Sequence, residues 1–467
     1  MKLPLSFSGR NKYFAIIAAV ILILVAVVVL RSSGDEGSTY VLPFDVDRAE
    51  QIETELCAFG PRYAGSEAGN QAADYIFGRM EDAGLTNVHY DGFEDWVFDI
   101  ETAELSIVEY GPAGYLPWGT TAEFVHKIDF VCQGHTGSHI WEDFTDDLEV
   151  VYVGNGTDDA RYQSVEGKAV LVSNDGPLSG TEMTLKAHEF GAAANIIYNV
   201  AVHEELDFPP IFKGTFPENR NYPDIASMMV SKAVGDQISA DIVNGNSKLR
   251  LNLRSVVQKK ELMVIIGEVE GKDPSKCVIL GAHYDSCYNT VGAIDNGVGV
   301  TTILELGYQL AKHKPEYTIR FALWAAEEIG LFGSTYYVGA HEDELARGCI
   351  AYLNFDMNNV DLERGNSQPI AVWKESFLKD CNRIRDNMLD QSPELKKYNV
   401  YMYLTDLAGS SDQAPFVELG IPATSAWGSG SWEYHTYMDT TDRLNPESLQ
   451  LAGRVQGTLA LELAKGI

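Results

Sequence analysis

A chain of 467 residues, 45% of them apolar, has material for two or more cores. Its formal charge of −32 argues against nucleic acid as a partner and would repel strongly anionic substrates at long range. The cysteines (Cys57, Cys132, Cys277, Cys287, Cys349 and Cys381) are scattered without a C-x-x-C pair, which argues against a thiolate metal site or a disulfide-stapled miniature fold and leaves room for one or two disulfides.

At the N-terminus, Lys2, Arg10 and Lys12 precede an unbroken apolar run from Tyr13 to Leu30. That length falls within the ~17–25 residues of a membrane-spanning helix. A cleaved signal peptide has a shorter apolar core, ~7–15 residues, ending in small residues. This run ends Val-Val-Val-Leu-Arg31, so an uncleaved anchor is the preferred reading. The expected order is a cytoplasmic tail (1–12), a membrane anchor (13–31) and a polar linker (32–40). The basic flank places the N-terminus inside and the remainder outside, as a single-pass protein of the cell membrane.

Phe59-Gly-Pro-Arg-Tyr-Ala-Gly-Ser-Glu67 is rich in turn formers and leads into a helical run, Ala68 to Ala83, stopped by Gly84. β-prone segments follow to Tyr110. Beyond Gly111 turns multiply and long helices thin out. The stretch from Phe208 to Asp224 is punctuated by prolines and reads as an exposed loop. Residues 111–255 are therefore expected to form a β-rich domain inserted between two parts of a first domain, 41–110 and 256–467.

The chemistry concentrates between Cys277 and Asp356, where one local event occurs three times. An apolar strand runs and then ends on metal-grade or acid/base residues: Cys277-Val-Ile-Leu-Gly-Ala-His283-Tyr-Asp285, Thr318-Ile-Arg-Phe-Ala-Leu-Trp-Ala-Ala-Glu327-Glu328, and Cys349-Ile-Ala-Tyr-Leu-Asn-Phe-Asp356. A helix-like run from Val298 to Lys312 separates the first two. Short apolar runs alternating with amphipathic helices imply parallel strands with crossover helices, and sites in such sheets form outside the carboxyl ends of the strands.

Each residue has an ordinary alternative. A lone His at a strand end is usually a satisfied polar group. Asp295 could be a helix N-cap, although Asn296 can take that role and free it. Adjacent acids such as Glu327 and Glu328 are usually solvated, but the Phe-Ala-Leu-Trp-Ala-Ala before them argues for burial, where two carboxylates need a cation. Asp285 is placed to hold the second imidazole nitrogen of His283. His435 follows Tyr434 and lies near Asp439 and Asp442. Hard carboxylates with two imidazoles suit Zn²⁺, with Mn²⁺ or Co²⁺ as substitutes. Five such ligands and a spare acid are too many for one catalytic zinc and fit two ions ~3.5–4 Å apart that share a carboxylate.

These strings resemble peptidase family M28, the di-zinc aminopeptidases and their relatives. The matches are Gly281-Ala-His283-Tyr-Asp285-Ser286, Gly292-Ala-Ile-Asp295-Asn-Gly, Ala326-Glu327-Glu328-Ile-Gly-Leu-Phe-Gly-Ser334, Asn354-Phe-Asp356-Met, Ser411-Asp412-Gln-Ala-Pro415-Phe, Leu419-Gly-Ile-Pro-Ala423, Tyr434-His435-Thr436 and the lead-in Gly60-Pro-Arg-Tyr-Ala-Gly-Ser66. The insert, with Val165-Glu-Gly-Lys-Ala-Val-Leu-Val172 and Gly191-Ala-Ala-Ala, is similar to the protease-associated (PA) domain.

The resemblance implies an α/β fold of the zinc exopeptidase type: a mixed, largely parallel sheet with helices on both faces. It implies that Asp295 bridges two zinc ions, that His283 and Asp356 complete one, and that Glu328 and His435 complete the other. Glu327 would be the general base and Tyr434 the oxyanion stabiliser. Gln413 departs from the histidine often found there, at a position outside the ligand set. The implied activity is removal of N-terminal residues from peptides. A carboxypeptidase or dipeptidase of the same family is the nearest rival, and it would need a basic residue to hold a carboxylate. The strings around His283, Asp295, Glu327 and Tyr434 contain none. A one-zinc glutaminyl cyclase would lack the His283-type ligand, and a receptor-like binding protein would be expected to have lost ligands.

Overall fold

The computed structural model describes residues 40–111, 116–215, 221–243, 245–429 and 431–466. The expected membrane anchor, 13–31, lies outside them, and among the described residues no helix is long and apolar enough to cross a membrane. Fourteen strands occur among these residues: β1 (Thr86–Tyr110), β2 (Pro117–Phe124), β3 (Phe130–Cys132), β4 (Val150–Tyr152), β5 (Ala169–Ser173), β6 (Ala194–Tyr198), β7 (Ala226–Val230), β8 (Ser247–Val269), β9 (Asp273–His283), β10 (Tyr317–Trp324), β11 (Cys349–Phe355), β12 (Ser367–Val372), β13 (Asn399–Leu404) and β14 (Ala423–Ala426). They make a nine-stranded sheet, β13-β12-β14-β11-β9-β10-β8-β1-β2, and a five-stranded sheet, β3-β7-β6-β5-β4.

At the middle of the large sheet β9 lies between β10 and β11, parallel to both. Cys277–His283 of β9 and Ala351–Phe355 of β11 are buried throughout, as parallel strands covered on both faces must be. The register pairs Trp324 with His283 and Asn354 with Gly281, so the three carboxyl ends lie side by side. Gly281 is required where it stands. A side chain there would run into the Tyr352 hydroxyl and the Trp324 indole nitrogen, which are hydrogen-bonded at 2.8 Å.

The sheet is mixed, but it is not largely parallel. The pairs β9–β10, β9–β11, β11–β14 and β12–β13 are parallel, whereas β1–β2, β1–β8, β8–β10 and β12–β14 are antiparallel. Three of the four antiparallel pairs involve β1 or β8. These two long strands pair from Thr86↔Glu268 to Glu109↔Ser247, and the residues between them add β2 to the large sheet and then build the small one. That small sheet is itself α/β rather than only β-rich: β4, β5, β6 and β7 are parallel neighbours, with helices at Gly180–Glu189 and Lys232–Ile238. Ser179 and Glu182 cap the first helix reciprocally.

The helix Val298–Leu310 connects β9 to β10 and is buried along nearly all its length. Its buried polar residues are bonded internally: Thr301 donates to Glu53 at 2.8 Å and Thr302 to the Val298 carbonyl at 2.7 Å. All six cysteines are free thiols, with Cys277 and Cys349 opposed across β9 and β11.

The lead-in segment is tied to the site by Arg62, which is fully buried. Its guanidinium donates to the carbonyls of Tyr284 (3.0 Å), Val291 (2.5 Å) and Gly292 (3.0 Å), and its amide donates to Ser286 Oγ at 2.9 Å. One side chain thereby sets the loop between His283 and Asp295. Replacing it takes a donor from three carbonyls, of which Gly292 keeps only the Gly297 amide, so Arg62→Met should cost about 3 kcal/mol or more. The expected result is an earlier thermal transition, accompanied by weaker metal retention; an unchanged melting curve would contradict this role.

Candidate metal centre

His283, at the end of β9, is 1% exposed. Its Nδ1 donates to the backbone carbonyl of Asp285 at 3.1 Å, which leaves Nε2 facing inward. The Asp285 carboxylate has a different task from the expected one. It lies 3.7 Å from Nδ1 and instead accepts from the amides of Glu327 (3.1 Å) and Glu328 (3.3 Å), fixing the turn that follows β10.

Asp295 is held by its backbone. The amides of Ile294 and Asp295 donate to the two oxygens of buried Asp439 at 2.7 and 3.0 Å. Asn296 opens the helix: its Oδ1 accepts from Gly299 and Met357 at 3.1 Å, while its Nδ2 donates to the Phe355 carbonyl at 2.9 Å. The Asp295 side chain is therefore free to face the site. Its Oδ1 lies 3.3 Å from His283 Nε2 and its Oδ2 lies 3.2 Å from His435 Nε2. Asp356 Oδ1 is 3.5 Å from His283 Nε2, and Glu328 Oε2 is 2.8 Å from His435 Nε2. Ala326, Met357 and His435 all adopt positive φ (61°, 59° and 58°), a conformation that side chains other than glycine seldom take and that concentrates at functional sites.

The donors fall into two groups, His283 with Asp295 and Asp356, and Glu328 with His435 and Cys287. Asp295 reaches both. Donors ~2.0–2.3 Å from a tetrahedral zinc lie ~3.3–3.8 Å from one another, close to the spacing here. His283 Nε2, Glu328 Oε1 and Asp356 Oδ1 are buried without a hydrogen-bond partner, which a protein tolerates poorly unless something else binds them. The residues fit a divalent metal. Cys287 enters the second group although the spacing of the cysteines spoke against any thiolate in a metal site; only the turn after β9 brings it there.

The electrostatics have the same origin. Burial would lower the pKa of His283, but the charge of Glu327 and the nearby carboxylates of Asp285, Asp295 and Asp356 raise it well above the usual imidazole value. Burial likewise opposes the charged form of His435, yet Glu328 and Asp295 bring its pKa to about 9. Asp295 is pushed up by burial and pulled further down by the two imidazoles. Glu327 is raised well above the carboxylate range by burial, reinforced by Glu328, Asp356 and Asp412 and opposed by His283.

The proline-marked segment is not an exposed loop over its described first part. Ile211 and Phe212 are each 1% exposed. Phe212 stacks on Phe98 and meets Tyr288 edge-on, with ring centroids 5.8 and 5.6 Å away. Its carbonyl accepts from His435 Nδ1 at 2.9 Å, so this segment orients a candidate ligand. Lys213 Nζ donates to the Tyr434 hydroxyl at 2.9 Å. The lack of basic residues in the site strings thus did not extend to the folded site. The apolar Ile211-Phe212 pair inside a loop is the one local hint of this burial.

A cavity of about 410 Å³ opens beside Asp356, with Met357, Trp373, Tyr403, Leu407 and Trp427 in its wall. Gln413 also lines it and accepts from Asn354 at 3.0 Å.

Residues 264–460 match the model of peptidase family M28, and residues 144–238 match that of the PA domain. The chain carries an M28 peptidase domain and a PA domain. It is 32% identical over 282 residues to leucine aminopeptidase 2 of Trichophyton rubrum, covering 59% of this chain and 54% of that one. The chain therefore matches about half the length of that relative. It is 27% identical over 443 residues to aminopeptidase YwaD of Bacillus subtilis, covering 91% of this chain and 86% of that protein. The fold is shared with BSAP, a zinc aminopeptidase from Bacillus subtilis (TM-score 0.71, 23% identity, 91% and 97% of the two chains). It is also shared with a peptidase M28 precursor from Shewanella amazonensis (TM-score 0.69, 23% identity, 90% and 93%). All five candidate ligands fall within the M28 match, while Phe212 and Lys213 fall within the PA match.

Because Asp295 serves both donor groups of the M28 domain, Asp295→Ala should weaken two bound ions, whereas His283→Ala should chiefly release one. Elemental analysis of the zinc-dialysed variants checks this. Full zinc content in Asp295→Ala would refute the shared-carboxylate geometry.

Proposed function

We propose that the protein is an aminopeptidase that uses two zinc ions, with Mn²⁺ or Co²⁺ able to substitute, to remove N-terminal residues from peptides. The observation that carries this reading is the Asp295 carboxylate straddling His283 and His435, with Glu327 beside both donor groups and a member of neither. The activities named for the relatives agree with it.

His283, Asp295 and Asp356 would hold one ion and Asp295, Glu328 and His435 the other. Zinc in such a site supplies Lewis-acid polarisation of the scissile carbonyl and makes water acidic enough to lose a proton near neutral pH. Glu327 takes the proton from the attacking water and delivers it to the leaving amine. Asp285 keeps Glu327 in place through its backbone amide. Tyr434 donates its phenolic hydrogen to the carbonyl oxygen as that atom gains charge. The acids of the site favour a cationic peptide terminus, and the aromatic and aliphatic wall of the neighbouring cavity favours a large apolar first side chain.

Glu327→Gln keeps the size of the side chain and removes its basicity, so kcat should fall by at least ~10²–10⁴ with zinc still bound. Near-normal turnover in the zinc-loaded variant would overturn the assignment.

Blocking the ends of a peptide identifies which terminus is read. N-acetylation should abolish cleavage of a leucine-initiated peptide, C-amidation should leave it largely intact, and Leu or Phe should be preferred over Gly at the first position by at least about tenfold. A better rate on the acetylated peptide, lost on amidation, would instead make Lys213 the anchor of a terminal carboxylate and the enzyme a carboxypeptidase.

A further inference from the structure

Lys213 reaches the peptidase site from the segment matched by the PA domain, and its backbone is fastened on several sides. The Lys213 amide donates to Gln133 Oε1 at 2.8 Å and its carbonyl accepts from Gly134 at 2.9 Å. The preceding Phe212 exchanges two bonds with His435: its amide donates to the His435 carbonyl at 3.0 Å, and its carbonyl accepts from Nδ1 at 2.9 Å. His203, from the same domain, bonds the Tyr434 carbonyl at 3.0 Å. From this fixed base the half-buried lysine side chain crosses the Tyr434 ring, with Nζ 4.3 Å from the centroid and 2.9 Å from the hydroxyl. Tyr434 is close enough to Asp295, Glu328 and Glu327 for their charges to act on its phenol.

We propose that Lys213 is a positioning residue for Tyr434: its ammonium donates to the phenol oxygen, so that the phenol O–H is aimed at the substrate carbonyl. This rests on the peptidase reading above. A phenol carries one hydrogen and can accept as well as donate. An ammonium bonded to its oxygen satisfies the accepting side, leaves the hydrogen for the substrate, and polarises the O–H toward donation. The benefit grows as the carbonyl oxygen becomes negative, so it appears in kcat rather than in KM. The PA insert is then a working part of the active site and not only an appendage of the long strands β1 and β8.

The test is a double-mutant cycle in the full, zinc-loaded chain with a leucine amide substrate. Lys213→Met should lower kcat about 10–100-fold with KM within about threefold, zinc content should be unchanged, and Lys213→Arg should restore most of the rate. In a Tyr434→Phe background the same Lys213→Met change should cost less than about threefold, because the hydroxyl it serves is gone. Binding of an aminoalkylphosphonate, a mimic of the tetrahedral state, should weaken in the same non-additive pattern. This readout does not require turnover.

Wild-type kcat in Lys213→Met, an equal loss in both Tyr434 backgrounds, or loss of zinc from both lysine variants would overturn the proposal. Persistent activity in Glu327→Gln, or an inactive wild-type enzyme whose phosphonate cycle still shows coupling, would count against the peptidase reading instead.

Discussion

One carboxylate shared between two imidazoles is the constraint around which the molecule is built. Asp295 puts one oxygen 3.3 Å from His283 Nε2 and the other 3.2 Å from His435 Nε2, in a place where it is almost wholly buried. A buried charge in that position is costly unless it is paired and held. The surrounding structure accordingly does both. Asp439 fastens the backbone of Asp295, the side chain of Asn296 ties that next position to β11, and Arg62 sets the loop that leads there. Glu327, Glu328 and Asp356 crowd the same spot, where mutual repulsion favours a bound cation.

The two domains meet at His435. Its Nε2 faces the carboxylates contributed by the large sheet, while its Nδ1 is held by a carbonyl from the inserted domain. A candidate ligand whose orientation depends on both parts makes the site sensitive to how the insert is seated. This gives the burial of Ile211 and Phe212 a functional meaning: the ring packing of Phe212 on Phe98 and Tyr288 anchors the carbonyl that aims the imidazole. It also explains why basic residues were missing from the strings around the site. The lysine comes from about 220 positions away in sequence, with Lys213 bonded to Tyr434.

Strand ends, ligand candidates and the helix between β9 and β10 were legible because each is written locally. Apolar runs of five to ten residues that end on His, Asp or Glu carry their own signal, and Asn296 beside Asp295 offered a second residue able to open the helix. Asp285 was legible as a supporting residue, but its task was not. Whether its carboxylate meets an imidazole or two backbone amides depends on the turn after β10, which is distant in sequence. The parallel share of the large sheet was misjudged for a related reason: β1 and β8 read as β-prone but say nothing about direction until they pair.

What the sequence determined by itself is the chemistry available at three strand ends and the family pattern that orders it, since side-chain type and spacing are properties of the chain. What only the tertiary structure decided is which atoms share space. Asp295 came to lie between two imidazoles because folding brought β9 and the turn at His435 to its two sides. Cys287 joined Glu328 and His435 although no cysteine spacing marked it. Part of a proline-marked loop came to lie against His435, with Ile211 and Phe212 buried, because apolar side chains gain by leaving water. Contacts of this kind join residues far apart in sequence, and no local pattern records them.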